Sequence, residues 1–157
     1  MIAYINMKKM RYLNMGMHIN KALKIIKKYE GLALRPYYCP SGILTIGYGH
    51  TGNDVKKGMV ITKKQANELL KKDLVRFKKE VMKYDYIYHW NENEYQALLS
   101  FAYNIGSIYQ LTANGTRSKE QISKTIPLYC RGSNGNKLPG LSKRRSEEQK
   151  LFNKEVE

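Results

Sequence analysis

Apolar residues recur along the chain in two rhythms, and the change from one to the other divides it. Ile19, Leu23 and Ile26 step by four and three, the spacing of one helix face. Asn20 is a candidate N-cap and Gly31 a candidate terminator, so a short helix is predicted between them. Lys21, Lys24, Lys27 and Lys28 leave its apolar stripe free, and the next position on that stripe is Glu30. A carboxylate is therefore predicted on the buried side. Residues 35–38 and 43–48, rich in aromatic and β-branched side chains and separated by Cys39-Pro40-Ser41-Gly42, read as a β-hairpin. The segment after it, GHTGNDVKKGM, reads as a loop.

Helical spacing then returns. Thr62 is the predicted N-cap of a helix carrying Ala66, Leu69, Leu70, Leu74 and Phe77. Residues 91–105, ending at Gly106, form the most apolar predicted helix, and 119–129 and 142–156 supply two more. Gly132, Gly135, Pro139 and Gly140 mark a long loop between the last pair. There is no internal repeat. A helix, a small hairpin sheet and a helical bundle make an α+β architecture, and 157 residues suffice for one domain with its own core.

Charge narrows the partners. Lys and Arg number 28 against 13 Asp and Glu, a formal +15, so the surface carries a strong positive field suited to a polyanion such as nucleic acid, anionic lipid or an acidic wall polymer. Cys39 and Cys130 are too few for a disulfide scaffold and lack zinc-site spacing, so neither metal nor cofactor is expected. Residues 1–18 read as a leader and 19–157 as the domain. The leader alternates apolar and basic residues without a signal peptide's apolar run. Methionines at 7, 10, 15 and 17 fit either an upstream extension or a short helix. No membrane anchor is expected.

Candidate chemistry gathers around the hairpin. Burial and the negative end of the helix macrodipole both favour a protonated Glu30, the form a general acid of glycoside cleavage needs. Along 43–49 side chains alternate, which puts Ile43, Thr45, Gly47 and Gly49 on one face and Leu44, Ile46, Tyr48 and His50 on the other. Two glycines beside Thr45 leave a face of little bulk that a flat polymer could approach.

The run Glu30-x8-Cys39-x5-Thr45, continuing into TIGYGH, resembles the signature of phage-type lysozymes, the endolysins of glycoside hydrolase family 24. ITKKQANELLKKDL, NEYQALLSFAYNIG and LPGLSKRRSEEQKLF resemble further blocks of that family, so the likeness spans about 19–152. It implies a lysozyme-like fold and hydrolysis of the β-1,4 bond between N-acetylmuramic acid and N-acetylglucosamine in peptidoglycan. Glu30 matches the general acid, Cys39 the second catalytic position, where the family has Asp or Cys, and Thr45 the cleft threonine. Tyr37, Tyr48, Gly47, Gly49 and Asn104 are candidate substrate contacts. The family pattern also pairs His50 with Asp73. Cys130 stands where the family more often has tryptophan. Implied partners are peptidoglycan and anionic wall polymers, met by a monomer held in the host cytoplasm until a membrane pore opens.

Cys39 can act as base, as nucleophile, or only as a positioner of water. Two other readings compete: a thiol peptidase or amidase using Cys39 with His50, and a basic nucleic-acid-binding module. The second is weakened because the lysines are spread over every segment without a stacking motif. Lys143, Arg144 and Arg145 fit equally a solvated first helical turn or a cationic contact for muropeptide stems.

Overall fold

The computed structural model describes residues 18–157; the predicted leader, apart from His18, lies outside the described residues. Helix α1, Asn20–Glu30, buries Ala22, Ile25 and Ile26. Asn20 is not its N-cap but its first helical residue. The exposed amides of that first turn are satisfied from another helix: Gln96 Oε1 accepts from the backbone N–H of Lys21 at 2.8 Å and of Ala22 at 3.2 Å, a job that a local cap otherwise performs. At the other end Gly31, at φ +71°, donates its N–H to the Lys27 carbonyl.

The sheet has three antiparallel strands in the order β1-β2-β3: β1 Ala33–Tyr38, β2 Leu44–Gly47 and β3 His50–Thr51. Tyr37 lies opposite Thr45 and Tyr38 opposite Leu44, with a register irregularity between Ala33 and Tyr37. Pro36, which has no N–H to give, falls within it. The second predicted strand ends sooner than its side-chain pattern suggests. Gly47 and Gly49 take φ +66° and +88°, folding the chain back so that Thr51 and His50 pair with Thr45 and Ile46. What reads as the start of a loop is a third strand.

Helix α2, Lys63–Met82, opens with a reciprocal capping box between Thr62 and Gln65 and buries Ala66, Leu70, Leu74 and Phe77. The short α3, Asp85–Tyr88, leads to α4, Glu92–Ile105, which is capped by Asn91 and terminated at Gly106. Two short helices, α5 Tyr109–Thr112 and α6 Lys119–Thr125, follow. Pro127 then tightens the chain into a 3₁₀ turn at Ile126–Leu128. Helix α7, Pro139–Phe152, begins three residues before its predicted start, because Pro139 occupies a first-turn position where a missing N–H costs nothing. Helix α4 is the axis of the core: Ala97, Leu98, Leu99, Phe101 and Ala102 are fully buried, and α1, α2 and α7 pack around it. The architecture is α+β, as the sequence predicts.

Candidate active site

Glu30 stands at the last residue of α1, where the helix meets the sheet and α7. Its side chain keeps 23% of its surface. The expectation of a lone carboxyl on an apolar stripe is corrected by a cation: Arg144 Nη1 donates to Glu30 Oε1 at 2.7 Å. The other oxygen faces Gly49. A Cβ at Gly49 would lie 3.3 Å from Glu30 Oε2 and 3.7 Å from the Tyr103 hydroxyl, so glycine keeps open the space before that oxygen.

Arg144 is itself held. Its Nε donates to Glu148 Oε1 at 3.1 Å and its Nη2 to the Ser100 carbonyl at 3.1 Å. Ser100 Oγ donates to Glu148 Oε1 at 2.7 Å. Glu148 is 0% exposed and carries a second cation, the equally buried Arg145, on its other oxygen. Arg145 continues to the Tyr129 carbonyl at 2.9 Å and to Asn104 Oδ1, and its guanidinium lies over the Phe101 ring. Both readings of the Lys143-Arg144-Arg145 block are thus corrected. Lys143 is exposed, but Arg144 and Arg145 are buried ion-pair partners. A second tie joins α1 to α7 nearby: Glu147 Oε1 accepts from Lys28 Nζ and, at 2.7 Å, from the Tyr29 hydroxyl.

Cys39 begins the turn between β1 and β2 and is half-exposed. Its N–H donates to the Ile43 carbonyl at 3.0 Å, and its own carbonyl accepts from Gly42 at 2.8 Å. Backbone hydrogen bonding from Ile43 and Ser41, helped by the Thr45 hydroxyl, holds the thiol below its ordinary pKa, which favours the thiolate. Thr45 is only 3% exposed, and its hydroxyl donates to the Ile43 carbonyl at 2.9 Å. The open threonine face expected from strand alternation is therefore not there; Thr45 backs the Cys39 turn from inside.

The predicted substrate contacts divide. Tyr37 is exposed on β1 and Gly49 adjoins Glu30. Asn104 is exposed, with its carbonyl oxygen engaged by Arg145. Tyr48 is corrected: its ring is 5% exposed and belongs to the core, while its carbonyl accepts from the Tyr103 hydroxyl at 2.5 Å. Burial pushes the Tyr103 hydroxyl well above its usual pKa and keeps it a donor. Gly47 is corrected too. It is buried, and a Cβ there would meet Ala66 and Ile61 rather than open space.

His50 Nδ1 lies 2.8 Å from Asp73 Oδ2, tying β3 to α2. Its Nε2 meets Asp54 Oδ2 at 3.0 Å, a partner that sequence reasoning missed. Burial of the ring opposes the charge, but the two carboxylates outweigh it and raise the His50 pKa. With both nitrogens facing carboxylates, His50 has none left to serve as base for a Cys39 nucleophile, which removes the ground for a thiol peptidase. Sequence reasoning also missed the roles of Arg144, Glu148, Ser100 and Tyr103. The one signal for them was the Arg-Arg-x-x-Glu spacing, which puts Arg144 and Glu148 on one helix face.

This layout of fold and carboxylate has relatives. The Phage lysozyme family profile matches residues 27–148. An endolysin of Acyrthosiphon pisum secondary endosymbiont phage 1 is 36% identical over 145 residues, covering 87% of this chain and 98% of that protein. An endolysin of Bacillus phage PZA is 36% identical over 147 residues, covering 87% of this chain but 55% of the relative. This chain thus spans nearly all of one relative and about half of the other. Among solved structures, the muramidase domain of SpmX from Asticaccaulis excentricus superposes with a TM-score of 0.74 at 28% identity, covering 87% of this chain and 97% of that one. The chain belongs to the phage lysozyme family, whose endolysin members are peptidoglycan hydrolases, and its fold is lysozyme-like.

Proposed function

We propose that residues 19–157 form one catalytic unit, active as a monomer, that hydrolyses the β-1,4 bond between N-acetylmuramic acid and N-acetylglucosamine in peptidoglycan. The observation that carries this reading is the division of labour on Glu30: Oε1 is engaged by Arg144, and Oε2 faces the space that Gly49 leaves free. A proton on Oε2 is the one a leaving glycosidic oxygen can receive. Across the sugar, Cys39 takes the proton of the attacking water or orients it, with the Thr45 hydroxyl turning between the Ile43 carbonyl and the sulfur. In an inverting arrangement the two groups stand roughly 6.5–9.5 Å apart to admit that water.

Peptidoglycan and its anionic polymers are the partners in this reading, reached from the cytoplasm once a membrane pore has opened. Among the described residues no helix is long and apolar enough to cross a membrane. The test is to incubate the protein with purified peptidoglycan and assay the products. New reducing ends support the glycosidase. Free amines without reducing ends mean amide cleavage and overturn it.

A further inference from the structure

Strand β1 is an outer strand of the sheet, and the chain leading into α2 lies along its edge. The Ile61 N–H donates to the Leu34 carbonyl at 3.0 Å, and Lys57 Nζ lies 5.6 Å from the centroid of the Tyr38 ring. Residues 57–61 therefore run beside β1 in the opposite direction. Ile61 is buried, while Val60 before it is 58% exposed. On the strand, Leu34 and Tyr38 are exposed by 40% and 58%. Singly such side chains are ordinary on a protein surface. Here three of them share one edge of the sheet.

Cations flank them. The Met59 N–H donates to the Lys56 carbonyl at 3.2 Å, with Gly58 at φ +81°, closing a turn that carries Lys56 and Lys57. Beyond Thr62, α2 opens on Lys63 and Lys64 and has no acid in its first turn. That order is unfavourable, because the positive end of the helix dipole repels cations. All four lysines are exposed, and among the described residues none lies within ion-pair distance of a carboxylate. The nearest acids in sequence are Asp54, engaged by His50, and Glu68, a turn further along α2.

Four unpaired cations, two of them set against a helix dipole, are relieved when an anionic surface approaches. A soluble polyanion, whether a wall phosphodiester or a nucleic acid, would use the lysines and gain nothing from Val60 and Leu34. An anionic bilayer uses both kinds of side chain. Aliphatic groups enter the boundary between headgroups and acyl chains, a tyrosine keeps its hydroxyl in water, and lysines reach the lipid phosphates. We propose that this edge of the sheet docks on the surface of an anionic phospholipid bilayer, lying on the membrane without crossing it. The docking uses none of the residues assigned to hydrolysis, and it is measured without a glycan.

The test mixes the full chain with vesicles of phosphatidylcholine, alone or with phosphatidylglycerol, and measures the bound fraction by sedimentation. L34S/V60S removes the aliphatic pair, and K56Q/K57Q/K63Q/K64Q removes the charge. A control variant, K124Q/K137Q/K150Q/K154Q, removes the same charge elsewhere; glutamine keeps helix propensity close to that of lysine. Fluorescence anisotropy with labelled polyglycerol phosphate follows the binding of each variant to a soluble polyanion. V60W places a tryptophan at the exposed position, with the buried Trp90 as an internal reference.

Wild type should bind the vesicles that contain phosphatidylglycerol and not those of phosphatidylcholine alone. Both variants of the edge should lose at least about tenfold in vesicle affinity, the lysines through the surface potential and the aliphatic pair through lost burial. The control should stay close to wild type, L34S/V60S should keep its affinity for polyglycerol phosphate, and the V60W emission should shift to the blue on anionic vesicles. If L34S/V60S loses the soluble polymer as well, it has lost its fold, and V60W decides. No vesicle binding by wild type, equal loss by the control, an L34S/V60S variant that binds vesicles like wild type, or an unshifted V60W emission each overturns the proposal.

Discussion

Arg144 Nη1 donates to Glu30 Oε1 at 2.7 Å across 114 residues of chain. The guanidinium is almost wholly buried while the carboxylate keeps one oxygen toward open space. One oxygen of the side chain is thereby fixed in position, and the other is the one to which the proposed reaction assigns the proton.

Glu30→Gln tests the reactive atom. Glutamine can still accept from Arg144 through its amide oxygen, so the thermal midpoint should move little. Wall lysis should fall by at least about a hundredfold, the lower end of what a general acid supplies. An amide variant that retained more than about a hundredth of wild-type lysis would take Glu30 out of that role.

Glu148→Gln tests the support. Neutralising the 0%-exposed carboxylate that serves both Arg144 and Arg145 leaves the buried Arg145 without its counter-charge and Arg144 with Glu30 alone. Breaking a buried pair from one side costs about 3–5 kcal/mol. Urea denaturation should show a loss of that order. A loss below about 1 kcal/mol, the worth of a surface pair, would mean that the cations find compensation elsewhere.

His50 sets a pH window for stability. Because its folded pKa is raised, its contribution is full below the unfolded value of about 6.5 and fades as pH rises through the folded one. Asp54 works with the opposite sign. Its pKa is lowered, chiefly by the His50 hydrogen bond, so its contribution is present above the ordinary carboxylate value and is lost as pH falls through the folded one. NMR titration of His50 should give a higher pKa in wild type than in Asp73→Asn. Identical titrations would show that the pair does not hold in solution.

Cys39 can be judged by replacement. Cys39→Asp should keep substantial lysis, since a carboxylate can activate water by charge and geometry, whereas Cys39→Ala should lose most of it. Alkylation with iodoacetamide should inactivate through the half-exposed Cys39 well before the buried Cys130 reacts. A folded but dead aspartate variant, together with an alanine variant that still lyses walls, would end the assignment of Cys39 to the water.

Helices α2 and α4 were legible to within a residue or two, because each combines a dense apolar stripe with a local cap: Thr62 with Gln65, and Asn91 with Glu94. Glu30 at the end of α1 was legible for a similar reason, one position on one stripe. The misses share a different cause. Gln96 caps α1 from 74 and 75 residues away, and Arg144 reaches Glu30 from 114. A periodicity contains no information about partners so remote. Strand β3, only two residues long, depends on the left-handed turn between Gly47 and Gly49. Alternation assumes an unbroken strand, so it put Gly47 on an open face that it does not occupy, although it placed Tyr48 on the core side, where its ring lies.

The span between the acid and its cation also has a meaning in time. A ribosome that has just added Glu30 must add 114 more residues before Arg144 exists, roughly six to twenty-three seconds at usual elongation rates. Throughout that interval the emerging chain carries Glu30 without the guanidinium that holds its carboxylate. The same holds for any chain cut short ahead of α7, so a broken message or a proteolytic stump yields a fragment without the complete site. Among the described residues α7 is the last helix, and it is the one that supplies the partner of Glu30.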